Sequence, residues 1–238
     1  MNLVVDIGSH QIKAALFEGD KLIQSSTFGK PEQLLEAVKG KTLEAVLISS
    51  VDPTKSREMT TVFIGYPCRV LEVTDFKKLG TEETLSLLKP DRIANIFGAL
   101  YHHPINDCII VDFGTTLRFD YVSKQGVYLG GAVFPALDGI FHLLEKAAFP
   151  SGEPPSSLGK AQLQQSKSGS YFGLLGAVER IVAELRLSSE APSGVMALAT
   201  GVATASPALQ KELHDFIDTV DPHLTLIGLN QILKEGKK

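Results

Sequence analysis

Two aspartates, Asp6 and Asp112, occupy the same point of a pattern that this 238-residue chain states twice. The first copy reads Leu3-Val4-Val5-Asp6-Ile7-Gly8-Ser9-His10, then alternates through Ile12 to Phe17 and turns at Glu18-Gly19-Asp20. The second reads Ile109-Ile110-Val111-Asp112-Phe113-Gly114-Thr115-Thr116, continues through Leu117 to Val122 and turns at Lys124-Gln125-Gly126. Glycine at such a bend lets the backbone turn tightly and bring N–H groups to phosphate oxygens. A carboxylate beside a bare polyanion is repulsive, so the acid implies a cation between itself and the phosphate. The hydroxyls of Ser9, Thr115 and Thr116 and the ammonium of Lys13 are further candidate contacts. One copy alone reads as a β-turn, where Asp and Gly abound. Two matching copies point to an anionic, metal-bound ligand.

A third acid has two readings. Asp91-Arg92 follows Lys89-Pro90 and opens a predicted helix. An acid there is ordinarily a cap that complements the helix dipole. The alternative is a general base beside an arginine that anchors an anionic substrate. Spacing alone favours the cap. His102-His103 does not form a metal pair, because neighbouring helix residues point about 100° apart. Gly169, Gly173 and Gly176 recur about once per turn and are expected to let a helix pack closely on a neighbour. No Gly-x-x-x-x-Gly-Lys-Ser/Thr phosphate loop occurs.

The elements that must position these residues repeat as well. Strand patterns fall at 2–7, 11–17 and 21–27, followed by a helix at 32–38, strands at 45–48 and 68–73, and a helix at 92–101. Pro104 and Asn106-Asp107 punctuate a boundary. Strands then restart at 108–112, 117–123 and 126–133, with Gly130-Gly131 closing the meander. A helix at 137–148, a loop at 149–157, an amphipathic helix at 171–187, a strand at 195–199 and a last helix at 224–233 complete the series. The order β-β-β-α-β-α, twice, gives an α/β protein with mixed sheets. It predicts two similar lobes, 1–105 and 106–238, and a duplicated domain rather than a solenoid. A duplicated unit with an acidic bend in each copy resembles the actin/hexokinase/Hsp70 superfamily, which implies an actin-like, ribonuclease H-like fold.

Composition narrows the class. The chain is 44% hydrophobic and 21% charged, with a net charge of −4, which gives no electrostatic footprint for nucleic acid, whose binders usually carry a basic face. Two cysteines, Cys68 and Cys108, make no disulfide framework. An acid at Asp6 interrupts any signal-peptide core, and no apolar run reaches the ~18 residues of a membrane span. A cytoplasmic protein without nucleic-acid or membrane partners is expected.

Taken together, Asp6-Ile7-Gly8 with Lys13, Ser49-Ser50-Val51, Asp91-Arg92, Asp112-x-Gly114-Thr115, Tyr128-Leu129-Gly130-Gly131 with Pro135, Ala199-Thr200-Gly201 and Leu224-Thr225-Leu226-Ile227-Gly228-Leu229 resemble type III pantothenate kinases, the family that includes Bvg accessory factors. The resemblance implies ATP-dependent phosphorylation of pantothenate, with Mg²⁺, a monovalent cation (K⁺ or NH₄⁺) and a homodimer. It casts Asp6, Gly8, Ser9, His10 and Lys13 as the first phosphate loop, with Asp6 also near the metal, and Asp91 as general base. Lys89, Pro90 and Arg92 meet pantothenate, Asp112 holds the monovalent cation, and Gly114, Thr115 and Gly201 lie at the nucleotide. Several positions depart from the pattern. Ser9-His10 replace Asn-Thr, Lys89-Pro90 replace Gly-x, Glu82 replaces a tyrosine, Gln162 replaces a threonine donated by the partner subunit, and Val202 replaces a glycine. These departures leave two alternatives, an impaired homologue with a binding or regulatory role and a kinase for another small alcohol.

Overall fold

The computed structural model describes residues 1–8, 11–73, 76, 79–114, 116–134, 154–201, 204 and 207–236, with backbone alone at 82, 85 and 208. Strands β1 (Asn2–Ile7), β2 (Ile12–Glu18) and β3 (Lys21–Phe28) form the first antiparallel meander. On the other side of β1, β4 (Ala45–Ser50) and β5 (Cys68–Val70) run parallel, so the sheet order is β3-β2-β1-β4-β5. The second sheet is built from β6 (Asp107–Phe113), β7 (Leu117–Val122), β8 (Tyr128–Phe134), β9 (Val195–Gly201) and β10 (Thr219–Val220). Read from its far edge its order is β8-β7-β6-β9-β10, the same topology with the same strand directions. Even the irregularities repeat. The meander register shifts between Leu16 and Phe17 in β2 and between Tyr121 and Val122 in β7.

The described helices are α1 (Pro31–Ala37), α2 (Pro53–Val62), α3 (Glu82–Leu87), α4 (Pro90–His102), α5 (Gln162–Leu187), α6 (Pro207–Leu213) and α7 (Leu224–Glu235). Three of them, α2, α3 and α6, are additional to the sequence-based expectation, as is β10. Helix α2 carried a readable start: Asp52 caps it, its Oδ1 accepting from Thr54 N–H at 2.8 Å, and Pro53 fills the first turn. Helix α5 begins at Gln162 rather than 171. Gly130 and Gly131 lie inside β8 instead of ending the meander. The expected helix at 137–148 and residues 149–153 of the expected loop lie outside the described residues.

The two compact units break at 102/103 rather than 105/106, and the last helix belongs to the first unit. Residues 1–102 form the first together with α7, and residues 103–222 form the second. Helix α7 returns to the first unit because it fits α4 there at backbone range. A Cβ on Gly228 would fall 1.7 Å from the Ala94 carbonyl oxygen, and one on Gly98 would fall 2.5 Å from that of Leu224. Only hydrogen side chains allow that crossing. Fully buried Asn230 fixes the register, donating Nδ2–H to Gly19 O at 2.8 Å and accepting from Asn2 Nδ2 at 3.4 Å. Lys234 Nζ and Gln231 Nε2 bond the Asp20 carboxylate at 2.5 and 2.7 Å and hold it below its usual range.

In the second unit, α5 lays Tyr171, Leu174, Leu175, Val178 and Val182 on the core face of β6, β7 and β9, at the helical spacing the sequence predicts. Its glycines pack against no described neighbour within the chain. Gly169, Gly173 and Gly176 are exposed, and a Cβ on any of them would meet no described atom within 4 Å. Among the described residues no helix is long and apolar enough to cross a membrane.

Candidate active site

Asp6 is the penultimate residue of β1, and its strand neighbours decide its surroundings. Lys13 stands opposite it in the antiparallel β1–β2 pair, and Ser49 beside it in the parallel β1–β4 pair. Cross-strand partners of this kind have Cβ atoms about 5 Å apart on one face. Ser49, 1% exposed, donates its hydroxyl to Asp6 Oδ1 at 3.2 Å. Beyond the strand the bend closes on itself, Gly8 N–H donating to Gln11 O at 2.9 Å. From the first turn of α2, Lys55 Nζ donates to Gly8 O at 3.2 Å. Sequence reasoning missed Lys55 at this bend. Its only signal was its place shortly after Ser49-Ser50, which matters once β4 is known to lie beside β1. Ser9 and His10 lie outside the described residues.

Asp112 is the penultimate residue of β6 and repeats the arrangement. Arg118 stands opposite it across β6–β7, and Thr200 beside it across β6–β9. Each unit thus ends its central strand in an acid flanked by a cation and a hydroxyl. Half-buried Gly114 follows Asp112 into the bend, and Thr115 lies outside the described residues. Gly201 has φ +104°, and a Cβ there would fall 2.5 Å from the Phe113 carbonyl oxygen, so β9 passes β6 at a distance only glycine permits.

The acceptor candidates gather at the start of α4. Lys89 is exposed and its carbonyl accepts Ile93 N–H at 3.1 Å, while Pro90 is buried as the first helical residue. Asp91 follows in the first turn, half-buried, and the Arg92 guanidinium donates to Leu87 O. Glu82 begins α3, and Gln162 is exposed at the first position of α5 in the other unit. Pro135 and Val202 lie outside the described residues. The structure brings together Asp6, Lys13 and Ser49, separately Asp112, Arg118 and Thr200, and along α4 Lys89 to Arg92.

Burial disfavours the thiolate form of both cysteines. Burial pushes Cys68 up to about 11, and burial with the charges of Asp107 and Asp218 pushes Cys108 up to about 12. The histidine pair is also spent structurally in part, His103 Nε2 lying 2.9 Å from Thr219 Oγ1. Among the described residues no three His, Cys, Asp or Glu side chains gather as a metal site. A metal that arrives with nucleotide phosphates needs only one or two protein carboxylates. The arrangement therefore suits an anionic ligand accompanied by cations.

Comparison with known proteins agrees with this architecture. The sequence model of type III pantothenate kinases matches residues 2–184. A type III pantothenate kinase of Akkermansia muciniphila is 32% identical over 206 residues, covering 83% of this chain and 81% of its own. A Campylobacter jejuni protein of the Baf family superposes with a TM-score of 0.61 at 16% identity, over 99% of this chain and 98% of that one. A ROK family glucokinase of Streptomyces griseus, solved with glucose and AMPPNP, gives 0.56 at 13% identity, over 99% of both chains. These structural likenesses establish the duplicated actin-like fold, and the sequence match establishes more: the chain belongs to the type III pantothenate kinase family.

Proposed function

We propose that the chain is an ATP-dependent pantothenate kinase of the cytoplasm, forming 4'-phosphopantothenate in the first step of coenzyme A biosynthesis. The observation that carries this reading is the acid–cation–hydroxyl trio at the end of β1 and again at the end of β6, in a chain of this family. Asp6, Gly8, Ser9, His10 and Lys13 are assigned to the first phosphate loop, Gly114, Thr115 and Gly201 to ATP, and Asp112 to the monovalent cation. Lys89, Pro90 and Arg92 are assigned to pantothenate, with Gln162 contributed across a homodimer, and Asp91 is the general base.

The donor chemistry fits the implied ions. Carboxylate and hydroxyl oxygens are hard ligands suited to Mg²⁺ and K⁺, and Ser49 holds Asp6 in one orientation. Bound there, the ions neutralise phosphate charge. Lys13 and Lys55 add fixed positive charge at the same bend. The acceptor hydroxyl oxygen bonds to the γ-phosphorus as the bond to the leaving ADP oxygen breaks, and the hydroxyl proton passes to Asp91. Such transfer is governed mainly by positioning and charge. Arg92, beside Asp91 in the first turn of α4, carries the permanent positive charge assigned to a substrate carboxylate.

The changes at Ser9, His10, Glu82, Lys89 and Gln162 favour a second reading, an impaired homologue with a binding or regulatory role, and leave room for another small alcohol as acceptor. A coupled ADP-release assay with ATP, Mg²⁺ and K⁺ separates the three. Pantothenate-dependent ADP release is expected. Pantothenate binding without turnover selects the impaired homologue, turnover only with a different alcohol selects the third, and the absence of turnover and of binding rejects the kinase reading.

The homodimer has support on α5. Gly169, Phe172, Gly173, Gly176, Ala183 and Leu187 fall on one exposed face, Phe172 41% and Leu187 69% accessible, with room for a closely packed helix. A light-scattering mass near twice 25.7 kDa is expected, and a mass near 25.7 kDa counts against the dimer.

A further inference from the structure

The matching trios in the two units use their hydroxyls differently. Ser49 spends its hydroxyl on Asp6. Thr200 stands at the equivalent position beside Asp112, is 1% exposed, and its Oγ1 has no hydrogen-bond partner among the described residues. Leaving a buried hydroxyl unpaired forfeits an appreciable fraction of a domain's small net stability. Valine has the same shape, suits a strand and carries no such cost. Alternation along β9 assigns Val195, Ala197 and Ala199 to the core beneath α5, so Thr200 lies on the opposite face of the sheet. By the same alternation Asp112 and Arg118 share that face, since Val111, Phe113, Leu117 and Phe119 take the core side.

We propose that Thr200 supplies a second protein oxygen to a monovalent cation held by Asp112, an inference that rests on the cation-dependent kinase reading above. A hydroxyl lone pair and a carboxylate oxygen are both hard donors, and oxygen dipoles of this kind replace the hydration shell of K⁺ elsewhere. The carboxylate neighbour selects a cation over a neutral ligand. Arg118, permanently charged across the β6–β7 pair, repels a divalent ion twice as strongly as a monovalent one. The Thr200 hydroxyl, without a described hydrogen-bond partner, is thus available to the ion.

Thermal unfolding of the full chain, in potassium chloride against choline chloride at equal ionic strength and without nucleotide, tests this. Potassium is expected to raise the parent's melting temperature by about 2–4 °C. Thr200→Val is expected to melt at or above the parent in choline and to gain nothing from potassium, while Thr200→Ser recovers the response. A Thr200→Val protein that melts well below the parent in choline overturns the proposal, because the hydroxyl is then structural. Retention of the potassium response in Thr200→Val with its loss in Asp112→Asn also overturns it, leaving the Asp112 assignment standing. A parent indifferent to potassium overturns both, whereas the pantothenate assay judges the kinase reading separately.

Discussion

Gly228→Ala is expected to cost about 3 kcal/mol or more of folding stability, a large part of the ~5–15 kcal/mol that a domain possesses. The sign is the informative part. In an ordinary helix interior alanine is better than glycine by about 1 kcal/mol. Here the new methyl would fall 1.7 Å from the Ala94 carbonyl oxygen and 2.8 Å from Gly98 N, which are backbone atoms that no rotamer change can clear. Helices α4 and α7 must separate, and fully buried neighbours such as Leu224, Leu229 and Ile96 lose their packing. Glu58→Ala is the control, since it replaces an exposed residue inside helix α2 and is expected to change stability by no more than about 0.5 kcal/mol. Urea unfolding of both variants reads the difference. A Gly228→Ala protein as stable as the parent would show that the crossing is looser than these distances. Because α4 carries Asp91, the displaced helix is expected to lose turnover with its stability.

Asp91→Asn is expected to lower kcat about 10²-fold or more while the protein remains folded. Proton abstraction by a positioned base contributes about 10²–10⁴-fold in general. The lower end applies if the transition state is loose, because the acceptor hydroxyl then loses its proton late. The structural cost is small by comparison. Removing a charge from the first helical turn forfeits about 0.3–1 kcal/mol, and asparagine preserves the shape. A KM for ATP near the parent's, with kcat reduced, identifies a group that acts on the acceptor. Unchanged turnover with slightly reduced stability returns Asp91 to the helix-start role that its spacing alone favoured.

The family-level function was legible because its carriers are local. An apolar run into Asp-x-Gly and out along a second strand is one contiguous phrase, and its repetition exposed the duplication before any contact was known. The two central strands, their meanders and the apolar stripe of α5 follow from the same short-range periodicity. Helix α2 escaped notice because it buries only Ser56 and Met59, so it has caps without a stripe. The first turns of α5, Gln162 to Ser170, bury only Ser168 and for the same reason resemble a loop.

By itself the sequence determined the fold class, the two acidic bends and the acid that opens α4, since each is encoded within a few neighbouring residues. Tertiary structure alone decided which distant residues complete them. Ser49 and Thr200 reach Asp6 and Asp112 through parallel pairings that follow crossovers of 43 and 88 residues, whose register no local pattern specifies. The same holds for α7. Its place against α4 depends on Gly98 and Gly228 meeting at backbone distance, a steric fit between segments some 130 residues apart that exists only once both helices are folded.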